Sequence, residues 1–248
     1  MKFYRRLTEV KAVSFDLDDT LYSNKPIMQA IEQKMIAYFA RLPALKKAEI
    51  NQQSIFDTKF WSQFRRQAIL KQPDLAHDVV RVRLVTYHLG FLSLGLVNDV
   101  AQQQAQAALD HFISLRSDFT IPKESEELLA NLSQKYPLIA ISNGNVDTKT
   151  LGISQYFQHI YHAGWQTDGR LLKQKPVTDM FMLACSHLAL QPSKILHVGD
   201  CGRADIEGAL RAGCQAAWLS CYDVGKPITV LPHVELNNIV QLELLLSN

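Results

Sequence analysis

Three carboxylates, Asp16, Asp18 and Asp19, fall within one short stretch and are followed at once by the hydroxyl of Thr20. They end an apolar run, Val10, Ala12, Val13 and Phe15, that has the character of a buried strand. Carboxylates gathered at a strand tip repel one another. Two such charges 4 Å apart cost about 1 kcal/mol in water and roughly 4 kcal/mol at an effective dielectric of 20. The cluster therefore needs a cation, a proton or wide separation. It reads either as a divalent-metal site with a nucleophilic carboxylate or as a solvated strand-to-loop turn, and the segment alone leaves both open.

Other reactive groups lie further along. Ser142-Asn143-Gly144 offers a hydroxyl, an amide and a residue without Cβ, which together let backbone N–H donors approach a phosphate. Asn-Gly is also a common turn dipeptide. Pro176 disfavours helical geometry at Lys175 and so places that lysine in an extended loop, from which it could reach a site or simply meet solvent. Asp200 follows Gly199 at another strand tip, and Asp205 falls in the first turn of the next helix, where a negative charge is also favoured by the helix dipole. His197, in the middle of an apolar strand, reads as a core histidine.

The elements that must position these groups are of two kinds. From Pro26 to Arg116 the apolar residues keep helical spacing: Ile27, Ala30, Ile31 and Met35, then Phe56, Phe60, Trp61 and Phe64, then Val97, Ala101, Ala105 and Phe112. Within this stretch Val79 to Leu96 mixes alternation with helical spacing, and helix is the reading taken. Past Arg116, short apolar runs at Leu138–Ile141, Ile195–Val198 and Ala216–Leu219 alternate with helices, one with Pro122 in its first turn that runs through Leu128, Leu129 and Leu132, the others over Asp179–Leu190 and Arg203–Ala212, with Gly213 as the stop. Such alternation predicts a parallel sheet covered on both faces. The expected fold is thus α/β, a doubly wound, Rossmann-like core made of residues 1–22 and 117–248, with an all-helical domain, residues 23–116, inserted after the first strand. Ligands collect at the carboxyl ends of strands in open sheets of this kind. Asp16/Asp18, Ser142/Asn143 and Asp200 all occupy that position.

Composition narrows the classes. A formal charge of +2 over 248 residues gives no broad field that would imply nucleic acid or an anionic membrane as partner. No apolar run reaches the roughly 18 residues needed to span a bilayer. Lys2, Arg5 and Arg6 are not followed by the apolar segment of a secretory signal. Cys185, Cys201, Cys214 and Cys221 form no C-x-x-C pair, and the eight histidines form no H-x-x-x-H pair. A cytoplasmic, monomeric protein with reduced thiols is expected. Arg65-Arg66 and Arg81/Arg83 read as solvated faces of the helical insert or as a basic surface for an anionic substrate.

Taken in order, Asp16-x-Asp18-x-Thr20, Ser142-Asn143-Gly144, Lys175-Pro176 and Gly199-Asp200-x4-Asp205 resemble the four motifs of the haloacid dehalogenase-like hydrolases. The resemblance spans the whole chain, including a helical cap after the first strand. The wording around the motifs, Met1-Lys2-Phe3-Tyr4-Arg5, Phe15 to Tyr22, Ala140 to Asn145 and Ile195 to Asp200, is similar to that of the bacterial flavin mononucleotide phosphatases of this superfamily. Those enzymes belong to riboflavin metabolism and also act on the phosphorylated ribitylamino-uracil precursor. The resemblance implies that Asp16 is the nucleophile that forms an aspartyl-phosphate and that Asp18 is the general acid and base. It implies that Ser142, Asn143, Gly144 and Lys175 hold the phosphoryl oxygens. It also implies Mg²⁺ bound by Asp16, the main-chain carbonyl of Asp18, Asp200 and, directly or behind a ligand, Asp205. Cys201-Gly202-Arg203-Ala204 departs from the more acidic or hydroxyl-bearing stretch of many relatives.

The expected activity is hydrolysis of small phosphate esters. On the same fold, a sugar-phosphate phosphatase or a phosphomutase would share Asp16 and Asp18. A dehalogenase needs neither the acid at Asp18 nor a metal cage, and a phosphonate hydrolase needs a Schiff-base lysine that nothing here marks out. A non-catalytic binding protein would have lost one or more of these groups. Tyr22, Trp61 and Phe64 read as packing residues, with stacking on a flavin-like ring as the other reading.

Overall fold

The apolar runs become strands of one sheet. A computed structural model describes residues 1–46, 56–167, 169–222, 225 and 227–247. In chain order its strands are β1 (Lys2–Phe3), β2 (Ala12–Phe15), β3 (Leu138–Ser142), β4 (His159–His162), β5 (Gln166–Thr167), β6 (Arg170–Leu171), β7 (Ile195–Gly199), β8 (Gln215–Leu219) and β9 (Val234–Leu236). Seven of them form a sheet of order β1-β9-β8-β7-β2-β3-β4, while β5 and β6 make a separate ribbon. All neighbours in the large sheet are parallel except β1 against β9. The inner strands β2, β3 and β7 are buried along their whole length, as expected of a sheet covered on both faces.

The chain divides into two compact units, Met1–Asn24 with Phe119–Asn248, and Lys25–Asp118. In the first, β2 lies between β3 and β7, so the chain leaves the sheet at its centre and returns on either side. This is the topological switch at which such sheets open a crevice. The helices α6 (Lys123–Ser133) and α7 (Asp179–Leu188) bury Leu128, Leu129 and Leu132, and Met180, Phe181, Ala184 and Cys185 respectively.

The helix read over Arg203–Ala212 is built differently. Gly202–Glu207 is a π-helical turn, and only Gly208–Arg211 is α-helix (here α8). Both Asp205 N–H and Ile206 N–H donate to the Cys201 carbonyl, at 2.9 and 3.2 Å, which widens the turn. Gly213 follows with φ of 83°, the left-handed conformation that stops the helix.

The second unit holds α1 (Asn24–Arg41, its first residue aside), α2 (Pro43–Lys46), α3 (Thr58–Lys71), α4 (Val79–Ser93) and α5 (Asn98–Arg116). Its core gathers Phe39, Phe56, Tyr87, Phe91 and Phe112. Burying each such ring is worth roughly 1.5–3 kcal/mol. The ambiguous stretch at Val79 is helix because Asp78 caps it, its carboxylate accepting from Val80 and Arg81 N–H at 3.1 and 2.8 Å. Arg83 is not on a solvated face. Its guanidinium carbon lies 3.5 Å over the Phe112 ring. No helix among the described residues is long and apolar enough to cross a membrane.

Candidate active site

Asp16 is the last residue that the sheet holds on β2, its N–H donating to the Val198 carbonyl at 2.9 Å. Beyond it the chain turns tightly: Leu21 N–H reaches back to Leu17 O at 2.9 Å, and Asp19 adopts a left-handed φ of 56°. The Asp19 carboxylate accepts from Asn24 N–H at 2.8 Å and so anchors the start of α1. The three acids are thereby separated, Asp16 inward, Asp19 toward the helix.

Asp18 is oriented by a neighbour that its position in the sequence did not announce. Tyr22 donates its hydroxyl to Asp18 Oδ1 at 2.8 Å, while its ring packs edge-on against Phe119 with centroids 4.7 Å apart. Tyr22 is thus a packing residue with a polar handle on the site. Gly144, just past β3, meets Asp18: a Cβ there would stand 2.4 Å from Asp18 Oδ2 and push the carboxylate aside. Ser142 Oγ accepts from the Gly144 N–H at 2.9 Å. Asn143 pins the lysine loop, its Oδ1 accepting from Lys175 N–H at 2.7 Å and its Nδ2 donating to Lys175 O at 3.1 Å.

Lys175 is buried at the centre. Its Nζ donates to Asp16 Oδ1 at 2.6 Å, to Asp205 Oδ1 at 2.6 Å and to the Ile141 carbonyl at 2.7 Å. That uses all three ammonium donors. The widened turn after Cys201 brings Asp205 to this place, and Gly199 makes room, since a Cβ there would lie 2.3 Å from Asp205 Cγ. Asp205 Oδ2 accepts from Cys201 N–H at 2.9 Å. Its Oδ1 also faces His197 Nε2 at 3.2 Å, and His197 Nδ1 lies 2.9 Å from Ser14 Oγ. His197 is a core histidine, as read, but one that is wired to the site. An ionised Asp205 has no proton to give, so Nε2 carries the hydrogen of the neutral ring and the Ser14 hydroxyl donates to Nδ1.

Electrostatics show how the charges in the cluster balance. Burial raises the Asp16 carboxyl to about 7 despite Lys175. Burial, then Asp16 and Asp205, raise Asp200 to about 9. Asp205 would also be pushed up by burial, but Lys175 and His197 hold it well below the usual carboxylate range. Burial works against the Lys175 ammonium, and Asp16 and Asp205 more than offset it, so its pKa is raised. One lysine cannot neutralise three acids. Ligand oxygens of Asp16, Asp200 and Asp205 all lie within 4.8 Å of one another. An all-oxygen, carboxylate-rich set with this uncompensated charge suits a hard divalent cation, so these residues could hold a metal ion.

Residues 10–213 match the model of the haloacid dehalogenase-like hydrolases, and the chain belongs to that family. It is a phosphatase of the family. It is 34% identical over 247 residues, 98% of each chain, to the 5-amino-6-(5-phospho-D-ribitylamino)uracil phosphatase YigB of Escherichia coli K12. Among solved structures it is similar to the 2-haloacid dehalogenase of Pseudomonas syringae pv. Tomato DC3000, with a TM-score of 0.83, 28% identity, and coverage of 96% of this chain and 98% of that one. The fold is also that of the Bacillus subtilis hydrolase YfnB bound to magnesium, with a TM-score of 0.64 at 17% identity, covering 97% of this chain and 100% of the other.

Proposed function

We propose that this chain is a Mg²⁺-dependent phosphomonoesterase working through an aspartyl-phosphate, with flavin mononucleotide and the phosphorylated ribitylamino-uracil precursor of riboflavin as its substrates. The observation that carries the chemistry is the convergence of Asp16, Asp200 and Asp205, with Asp16 and Asp205 sharing the Lys175 ammonium. The similarity to YigB supports the substrate class.

Asp16 is the nucleophile. Lys175 holds Oδ1, which leaves Oδ2, with only a long 3.5 Å contact from Thr20 Oγ1, to attack phosphorus. As the new O–P bond forms, the bond from phosphorus to the leaving alkoxide breaks, and Asp18 gives that oxygen a proton. Asp18 then takes a proton from water as the water oxygen attacks the aspartyl-phosphate at phosphorus. Inorganic phosphate leaves and Asp16 is regenerated. The Ser142 hydroxyl accepts the Gly144 N–H and therefore has its own hydrogen to donate to a phosphoryl oxygen. Lys175 and the Gly144 N–H bind phosphate only by exchanging an internal bond for it.

Asp16, the Asp18 main-chain carbonyl and Asp200 would hold Mg²⁺, which when bound supplies the positive charge that lets a carboxylate approach a phosphate dianion. Asp205 can add one contact at most. Its Oδ1 already accepts two bonds and its Oδ2 one.

The test is phosphate release from an aryl phosphate and from a panel holding flavin mononucleotide, the ribitylamino-uracil phosphate and sugar phosphates, with Mg²⁺ and with chelator. Magnesium-dependent hydrolysis led by the two riboflavin-pathway esters is expected. A folded Asp16→Asn variant that hydrolyses at the wild-type rate removes the mechanism, and phosphate carried to a second sugar hydroxyl instead of water identifies a phosphomutase.

A further inference from the structure

Gly144 is held at both ends, its N–H by the last residue of β3 and its carbonyl by the last residue of β4. The two strands run parallel with Ser142 and His162 as register partners, so these residues send their side chains to the same face of the sheet. Ala163 N–H donates to Ser142 O at 2.9 Å and keeps the strand ends together. Just past β3, Gly144 meets both side chains. Its N–H donates to Ser142 Oγ at 2.9 Å, and its carbonyl lies 2.9 Å from His162 Nδ1. A carbonyl only accepts, so Nδ1 carries a hydrogen and donates it.

We propose that His162 is a positioning residue for phosphoryl binding: by fixing Gly144 it fixes the Ser142 hydroxyl, which is then aimed before substrate arrives. The inference rests on the reading that Ser142 contacts the phosphoryl group, and it adds how that contact is set.

A serine hydroxyl is a rotor that donates or accepts as its neighbours dictate. With the Gly144 N–H directed at Oγ, the oxygen is engaged as an acceptor and its hydrogen must point elsewhere. Gly144 keeps that direction only while its own peptide planes are fixed, and glycine has the backbone that is hardest to fix. No side chain of its own can anchor it, since a Cβ would meet Asp18 Oδ2 at 2.4 Å. The anchor comes from the neighbouring strand instead. His162 is buried, and it is braced in turn by Trp165, whose N–H donates to His162 O at 3.2 Å and whose indole packs on the imidazole with centroids 4.7 Å apart. A donor held in place beforehand needs no reorganisation when charge develops on the phosphoryl oxygens. A histidine that merely satisfied a buried carbonyl would lower stability when removed and leave turnover of the folded protein alone.

The experiment compares His162→Leu with His162→Asn. The replacements are alike in size and both lose the ring, but asparagine offers an N–H near the place of Nδ1, so their difference isolates the bond to Gly144. Hydrolysis is followed for an aryl phosphate, ribose 5-phosphate and flavin mononucleotide, and orthovanadate inhibition stands in for binding of the transferring phosphoryl group. Circular dichroism and urea midpoints report folding. His162→Leu should lower kcat/KM about tenfold for every ester alike, and weaken orthovanadate by a similar factor, because the phosphoryl group is common to all of them. His162→Asn should return to within about threefold of wild type. In a Ser142→Ala background His162→Leu should add little, since the hydroxyl through which it acts is gone. If His162→Leu does not fold, His162→Gln, whose amide reaches the place of Nε2, replaces it with the same expected losses. A folded variant of either kind with wild-type kcat/KM, equal losses in it and in His162→Asn, or full additivity with Ser142→Ala overturns the proposal. If Ser142→Ala itself leaves hydrolysis and orthovanadate inhibition unchanged, the phosphate-binding reading of Ser142 falls with it. A loss at Ser142 with none at His162 removes the positioning role alone.

Discussion

Lys175 and Asp16 are joined through a 2.6 Å ammonium–carboxylate contact whose partners keep 1% and 10% of their side-chain surfaces exposed. Asp205 meets the same ammonium at the same distance. A buried charge stripped of its partner is expensive, so Lys175→Met should destabilise the metal-free protein by about 3–5 kcal/mol, less whatever protonation of Asp16 recovers. It should also lower turnover on the order of a hundred- to a thousandfold, because Asp16 Oδ1 is no longer fixed. Urea unfolding in chelator and single-substrate kinetics read the two effects separately. A stable Lys175→Met protein with wild-type kcat would show that the lysine supports neither folding nor turnover.

The link from Ser14 through His197 to Asp205 should behave as one unit. Ser14 and His197 are register partners across β2 and β7, and both side chains are fully buried. His197→Leu orphans the Ser14 hydroxyl and removes one bond from Asp205, at an expected cost of about 1–3 kcal/mol. Ser14→Ala alone should cost about 1 kcal/mol. Once His197 is gone, removing the orphaned hydroxyl should be neutral or favourable, so the double variant is more stable than the sum of the singles predicts. Additive losses in urea unfolding would contradict the link.

The sequence shows these groups unevenly, for physical reasons. A run such as Ile195 to Val198 ending in Gly199-Asp200 is legible because burial and a polar tip leave a one-dimensional trace. β4, His159–His162, leaves none, since two of its four residues are histidine, and three-residue β9 is too short for any period to register. The Ser14–His197 contact depends on strand register, which no local pattern encodes. Nor does the spacing of Asp200 and Asp205 show the π-helical turn that lifts Asp205 onto Lys175. Trp61 and Phe64 share the helical period of core residues, so a cavity lined in part by Trp61 is visible only in three dimensions.

Metal should report on Asp200. Its carboxyl, raised to about 9 by burial and by Asp16, is a poor place for a lone negative charge and a good one for a cation. Mg²⁺ at a hundred times its Kd should stabilise wild type by about 2.7 kcal/mol through binding alone. Asp200→Asn should lose that gain while equalling or exceeding wild type in chelator, since a neutral amide replaces an acid that resists ionisation. Thermal unfolding with and without Mg²⁺ checks both signs. A full magnesium gain in the variant would place the ion elsewhere.

Tyr22→Phe isolates the orientation of Asp18. The ring contact with Phe119 survives, and the 2.8 Å bond to Asp18 Oδ1 is lost. We expect kcat to fall about three- to tenfold, the effect of one hydrogen bond, with KM and unfolding midpoint nearly unchanged. A rise in KM at constant kcat would instead assign the hydroxyl to substrate binding.

His233 gives the fold a pH dependence remote from the site. Its Nδ1 accepts the Ala216 N–H at 3.1 Å, and its carbonyl accepts from Tyr4 and Arg5 N–H at 2.9 and 3.2 Å, tying β8 to the residues after β1. Burial, then Arg5, lowers its pKa below the ordinary value of 6.5. The folded state therefore binds fewer protons at this residue than the unfolded chain does. Its contribution is fully present above about 6.5 and is lost as pH falls through the lowered folded value, where protonation of Nδ1 breaks the bond to Ala216. His233→Gln keeps an acceptor and does not titrate. Urea midpoints at pH 7.5 and 5.5 should thus drop more in wild type than in the variant, the difference cancelling the effects of other histidines. Equal drops would show that the Ala216 bond survives protonation.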